Sequence, residues 1–186
     1  MAIKSAKKQK KTWFSIVSPK EFGNYIVGET PASEPQSLIG RSVQVNLMTV
    51  LNDPKKQNVQ LTLKIKSLRE NTAITETIRY ELLPSYLKRM MRKGRNKIED
   101  SFIAQTKDNI NARIKPIMIT KTKTQRSKLS LLRKLTREFL IERIKTQNFT
   151  EVVNDAISTK LQRELRDKLK KTYPLVVCEF KTILIA

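Results

Sequence analysis

Apolar and polar residues alternate along three stretches of the chain: Ser42–Met48 (Val43, Val45, Leu47), Val59–Leu68 (Val59, Leu61, Leu63, Ile65) and Thr72–Tyr80 (Ile74, Ile78, Tyr80). A period of two is the pattern of a strand with one face buried. The polar turn Arg69-Glu70-Asn71 joins the second and third into a hairpin. A further hairpin is expected from Ile98–Thr106 and Ile110–Ile119 around Lys107-Asp108-Asn109, because Asp and Asn tolerate the backbone conformations that such a loop requires. Trp13–Val17 and Leu175–Ile185 are two more candidates, which brings the expected total to about seven.

Helical spacing occurs in three places. Leu83, Tyr86, Leu87, Met90 and Met91 form a short amphipathic segment that Gly94 stops. Leu129, Leu132, Leu135, Phe139 and Leu140 share one side of a helix, with Arg126, Ser130, Arg133 and Arg137 forming a ridge on another. Val153, Ile157, Leu161, Leu165 and Leu169 recur every four residues along a third helix, beginning near Thr150 and ending before Pro174. Its other faces mix Glu164 and Asp167 with Arg163, Arg166 and Lys170 and read as solvated. Many strands around few helices predict an α+β fold, with about seven strands in a strongly bent, barrel-like sheet and two or three peripheral helices.

Charge changes the picture. Lys and Arg number 38 against 17 Asp and Glu in 186 residues, a formal net charge of +21, with no histidine and one cysteine. Such a surface attracts polyanions, and nucleic acid is the expected partner. Residues 1–12 carry Lys4, Lys7, Lys8, Lys10 and Lys11 with no acid and almost nothing to bury, so they are expected to be a flexible basic arm ahead of a single domain at residues 13–186. From Glu21 to Gly40 the pattern reverses: Glu21, Glu29 and Glu34 occur with no Lys or Arg, and Gly23, Gly28, Pro31, Pro35 and Gly40 read as a loop facing protein or solvent. Two later segments are basic without an acid. One holds Lys88, Arg89, Arg92, Lys93, Arg95 and Lys97, the other Arg113, Lys115, Lys121, Lys123, Arg126, Lys128, Arg133, Lys134 and Arg137. Charges so segregated repel one another unless an external anion screens them. The expected RNA-binding set is therefore Lys7, Lys8, Lys10, Lys11, Lys88, Arg89, Arg92, Lys93, Arg95, Lys121, Lys123, Arg126, Arg133 and Arg137.

Catalytic chemistry has little to start from. Without histidine the usual general base is missing, and one cysteine supports neither a disulfide framework nor the common zinc sites. Glu99-Asp100 is the sole adjacent acidic pair, and strand neighbours point to opposite faces. No P-loop, G-x-G-x-x-G or G-x-S-x-G occurs. Cys178, in Val176-Val177-Cys178, reads as a small buried hydrophobe. The expectation is no enzyme, no cofactor and no metal. No apolar run approaches the roughly 20 residues that span a bilayer, and no signal core follows the basic N-terminus, so no membrane partner is expected and the expected location is cytosolic, or nuclear in a eukaryote.

Several blocks together resemble a known family. Lys11-Thr12-Trp13-Phe14-Ser15-Ile16-Val17-Ser18-Pro19-Lys20-Glu21-Phe22-Gly23, then Ile26-Val27-Gly28-Glu29-Thr30-Pro31-Ala32-Ser33-Glu34-Pro35 and Leu38-Ile39-Gly40-Arg41, look like the small-subunit ribosomal proteins of archaea and eukaryotes called the S-three-A-e or e-S-one family, the archaeal form above all. Glu81-Leu82 with Tyr86-Leu87, Thr106-Lys107-Asp108 with Arg113-Ile114-Lys115-Pro116, and Tyr173-Pro174-Leu175 follow in the family's order. Asn109 stands where the family usually has Gly, and Val176-Val177 where basic residues are common. The resemblance implies a structural, rRNA-binding protein with a β-barrel-like core. It also implies a site on the small-subunit platform near the mRNA exit region, with small-subunit rRNA, neighbouring ribosomal proteins and mRNA as partners. The alternative is an RNA-binding translation regulator acting off the ribosome; an RNA-modifying or nuclease enzyme ranks third.

Overall fold

A computed structural model describes residues 11–186. They fall into two compact units, the first running to Gln57 and including Leu61–Ile78, the second comprising Asn58–Gln60 and Arg79–Ala186.

In the first unit, β1 (Thr12–Val17) lies antiparallel to β2 (Ile26–Ala32) and parallel to the start of β5 (Thr72–Leu82). β4 (Val59–Arg69) pairs with β5 and with β3 (Ser42–Asn46). The inward positions of these strands, Phe14, Ile16, Ala32, Ile65 and Ala73, close with Leu38 into one buried cluster. The expected loop between Glu21 and Gly40 thus contains a strand. Gly28 and Pro31 are admitted because β2 is an edge strand paired only with β1, where a missing N–H breaks no ladder on the open side. Arg41 fastens the segment that follows: its Nε donates to the Ser37 carbonyl at 3.1 Å and its Nη1 to the Pro31 carbonyl at 3.4 Å. The expected strand Ser42–Met48 also stops early. Asn46 accepts from the Met48 N–H at 2.9 Å and donates from Nδ2 to the Gln57 carbonyl at 2.9 Å, starting the short helix α1 (Leu47–Leu51), which Asn52 ends at a φ of 52°.

In the second unit, β8 (Asn111–Thr120) is central. β9 (Leu175–Ile185) runs antiparallel along one edge, and the end of β5 pairs with β9 from Arg79↔Leu184 to Glu81↔Thr182. The other edge of β8 carries two strands where one was expected: β6 (Lys97–Glu99) on Ile117–Ile119 and β7 (Phe102–Gln105) on Asn111–Ile114. The break falls where the Asp100 carboxylate accepts the Ser101 N–H at 2.9 Å, turning the chain away from the ladder. The β7–β8 turn is as expected. Asn109 sits at a φ of 58° and donates its N–H to the Thr106 carbonyl at 3.0 Å, a left-handed position that Asn fills with little penalty.

After α2 (Pro84–Met90), helices α3 (Arg126–Lys145), α4 (Phe149–Ile157) and α5 (Lys160–Lys170) cover this unit. α3 packs on β6 and β7, and α5 on β9, α3 and α4. On α3 the buried residues are Leu132, Thr136, Leu140 and Ile144; the expected core residues Leu129, Leu135 and Phe139 are only half-buried at its margin. The expected third helix is two. Val153, Ile157, Leu161, Leu165 and Leu169 are all buried, but Thr159 at a φ of 61° breaks the axis between them. Gln162 then donates from Nε2 to the Ala156 carbonyl at 2.8 Å, a carbonyl near the C-terminus of α4.

The described chain therefore mixes α and β with nine strands and five α-helices. The seven-strand expectation lacked β2 and the β6/β7 break. Among the described residues no pairing joins β2 to β3 or returns β6 and β7 to β5, so the expected barrel-like closure is absent.

Candidate nucleic-acid interface

In the second unit a groove of about 680 Å³ opens between α5, the loop before β6 and the ends of β8 and β9. Arg95, Lys121, Arg163, Arg166 and Lys170 line it with one carboxylate, Asp167, over apolar Leu175 and Val176. Arg163, Arg166 and Lys170 are spaced three and four residues apart on α5, which puts them on one face, and all three are exposed. None of the five cations forms a salt bridge among the described residues.

The frame that holds the two loop cations is rigid by its hydrogen bonds. Thr120 is fully buried; its Oγ1 accepts the Asn96 N–H at 2.9 Å and donates to the Thr122 carbonyl at 2.8 Å. Asn96 Oδ1 accepts the Thr124 N–H at 2.9 Å, and the Lys121 N–H donates to the Pro174 carbonyl at 3.2 Å. Arg95 and Lys121 are each next in sequence to a member of this network, so their backbone is fixed while their side chains face the groove. Preorganised cations lose less entropy on meeting an anion.

The expected RNA-binding residues do not form one surface. Lys7, Lys8 and Lys10, and most of the expected arm at residues 1–12, lie outside the described residues; Lys11 is exposed, and Thr12 already begins β1. Lys88 and Arg89 occupy the last turn of α2, where Arg89 donates to Asn58 Oδ1 at 3.1 Å and lies 5.7 Å from the centre of the Tyr86 ring. Arg92 and Lys93 are exposed beside Gly94, whose φ is 84°. Arg95 and Lys121 reach the groove, whereas Lys123 and Arg126 are exposed outside its lining.

The ridge on α3 is divided. Arg133 is exposed beside a cleft shared with Asp100 and Lys115. Arg137 is committed: Nη2 and Nε donate to the two Asp100 oxygens at 2.8 and 3.1 Å, and its guanidinium lies 5.8 Å from the Phe102 ring centre. The Asp100 side chain is 9% exposed. Burial raises its pKa, but the hydrogen bonds from Arg137 and Ser101 and the charges of Arg137 and Arg133 outweigh this and leave the carboxyl below its ordinary value. Glu99 pairs elsewhere, with Lys97 at 3.1 Å and Lys181 at 3.7 Å, so the adjacent acids serve separate cations. Cys178 is buried as expected, and desolvation together with the Glu179 charge pushes its thiol up to about 12.

Reading the sequence as segments found Arg95 and Lys121 and missed Arg163, Arg166 and Lys170. Their signal was the spacing, hidden among Glu164, Asp167 and Lys168. What the arrangement can do chemically is hold successive phosphates of a chain along its cations, with apolar surface for what the phosphates link.

The basic groove on this mixed α and β chain has the chemistry to meet a polyanion. Comparison with known proteins gives the family: the chain belongs to the Ribosomal S3Ae family, whose model matches residues 2–185. That family is one of ribosomal components, not enzymes. The small ribosomal subunit protein eS1 of Nanoarchaeum equitans is 33% identical over 166 residues, covering 89% of this chain and 84% of its own. The eS1 proteins of Haloarcula marismortui and Haloquadratum walsbyi are each 29% identical, over 177 and 185 residues, covering 95% and 98% of this chain and 83% and 87% of theirs.

Proposed function

We propose that this chain is a structural constituent of the small ribosomal subunit in the cytoplasm, and that its second unit binds rRNA through the groove lined by Arg95, Lys121, Arg163, Arg166 and Lys170. The observation that carries this reading is the convergence on one groove of five cations without one salt bridge among the described residues, two of them on a hydrogen-bonded frame. Like charges held together repel, and a phosphate chain relieves that repulsion while releasing its condensed counterions. The relatives' names supply the particle. Neighbouring small-subunit proteins are then its protein partners, and a position on the platform near the mRNA exit region is the part of this reading that rests on the family resemblance alone. Among the described residues no helix is long and apolar enough to cross a membrane.

The test pairs two measurements. Small subunits purified from the source cell at low salt should contain the chain. Affinity of the isolated full chain for small-subunit rRNA fragments should fall with salt at a log–log slope corresponding to about five phosphates or more. A flat salt dependence, or absence of the chain from small subunits purified at low salt, would contradict the reading.

A further inference from the structure

In the first unit β2 has no neighbour on one side, and the backbone pairing fixes which groups that edge offers. The Ser15 N–H donates to the Asn71 carbonyl at 3.0 Å, so Ser15 turns its backbone toward β5. Its cross-strand partner Glu29 therefore stands in a non-hydrogen-bonded pair and turns its own N–H and C=O away from β1. Pro31, two residues on, obeys the same alternation: it has no N–H to offer, and its outward carbonyl accepts Arg41 Nη1 at 3.4 Å. Among the described residues no strand pairs with this side of β2, so the Glu29 N–H and C=O stay unmet in the middle of it.

The same register sets the outer face. Trp13 lies opposite Pro31 and Ser15 opposite Glu29, on the side away from buried Phe14 and Ile16. Trp13 is 64% exposed, and Ile26 at the start of β2 is 69% exposed. Aromatic and aliphatic surface left open in this way is characteristic of protein–protein contacts. The charge agrees. Residues 21–40 contain no Lys or Arg, and Glu21, Glu29 and Glu34 form no salt bridge among the described residues. Lys11 and Arg41 stand beside Glu34 at the Pro31 end and leave Glu29 unmatched.

Resting on the reading of this chain as a small-subunit constituent, we propose that β2 accepts one extended segment of a neighbouring small-subunit protein as an added strand, with a lysine or arginine of that segment across from Glu29. Strand addition satisfies the outward N–H and C=O of Glu29, and an opposite charge directly across the ladder stabilises the pair. An apolar residue two positions along the segment then lies on the face of Pro31 and Trp13. RNA fits this edge poorly, because its phosphates would meet Glu29. Pro31 at one end and the bulge between Ile16 and Val17 at the other confine the pairing to a few residues, which keeps the edge from templating a long unspecific sheet.

The experiment places photoreactive benzoylphenylalanine at position 13 of the full chain in the source cell and reads its cross-links in purified small subunits. They should fall on a basic peptide of one neighbouring small-subunit protein. Glu29→Pro, which removes an outward N–H as Pro31 already does, should lower the yield about fivefold or more, the effect of one lost hydrogen bond. Glu29→Gln keeps that N–H and should lower it about twofold. Hydrogen exchange at Glu29 of the unmodified chain should be fast in isolation and slow in the subunit, and it decides the matter if the melting temperature shows that Glu29→Pro disturbs the fold. Cross-links to rRNA, to an acidic peptide or to a second copy of this chain, no cross-link at all, or equally fast exchange in both states would overturn the docking edge and leave the ribosomal reading intact. Absence of the chain from the subunits would overturn that reading, and the edge with it.

Discussion

On α5 and the loops beside it, Arg95, Lys121, Arg163, Arg166 and Lys170 face a groove without a salt bridge among the described residues, while on α3 Arg137 donates two hydrogen bonds to Asp100 and Arg143 lies 3.5 Å from Glu164. Both surfaces are basic in sequence, and the α3 ridge is the more conspicuous because its segment has no acid. The difference teaches that charge density along a chain does not measure the charge available to a partner. A cation already held by a near-buried carboxylate must break that pair to meet a phosphate, and a cation held near its own kind gains from one. By count alone the second compact unit carries 26 Lys and Arg against 11 Asp and Glu, and the first 12 against 6.

The largest effect is expected in the groove. Replacing Arg163 and Arg166 together with Glu should weaken binding to rRNA fragments at least about tenfold and make the salt dependence shallower by roughly 1–2 in log–log slope, since each cation neutralises about one phosphate. Both side chains are exposed, so the melting temperature should stay close to that of the unmodified chain. Binding at full strength would erase the contrast between the surfaces.

The ridge should answer in the opposite way, and more weakly. Asp100→Asn and Arg137→Ala should change rRNA affinity by less than about twofold, and Asp100→Asn should lower the melting temperature by about 1–3 °C at neutral pH. The pH dependence sharpens this. The Asp100 carboxyl is held below its ordinary value, so the pair stabilises the fold above the unfolded carboxyl's value of about 3.9 and that contribution is lost as pH falls through the lower folded value. The gap between Asp100→Asn and the unmodified chain should therefore be present at pH 7 and vanish in acid. A gap that persists in acid would show that Asp100 acts through packing rather than charge.

How much of this was legible in the sequence depends on how local the cause was. β4, β5, β8 and β9 were readable because one face of each is buried along most of its length, and the Asn109 turn because Asn suits a left-handed residue. β2 was not, since an edge strand admits the Gly and Pro that otherwise signal a loop. The break at Thr159 was hidden by its own consequence: Ile157 and Leu161 keep the four-residue spacing across it, so the apolar pattern continues where the axis does not. The boundary between the units passes through β5, where no change of composition marks it. In the site, Arg95 and Lys121 were visible as charge, but the commitment of Arg137 depends on a carboxylate 37 residues away that only the fold brings near. The α5 cations were set aside because acids interrupt them in sequence, although the acids Glu164 and Asp167 do not cancel what the spacing of Arg163, Arg166 and Lys170 places on one face.

The most direct test of the central claim is nucleotide–peptide cross-linking in intact small subunits, read residue by residue by mass spectrometry. The account predicts rRNA cross-links on α5 between Arg163 and Lys170 and on the loops carrying Arg95 and Lys121, with few at Arg137. Cross-links concentrated along the α3 ridge, with α5 free of them, would contradict it.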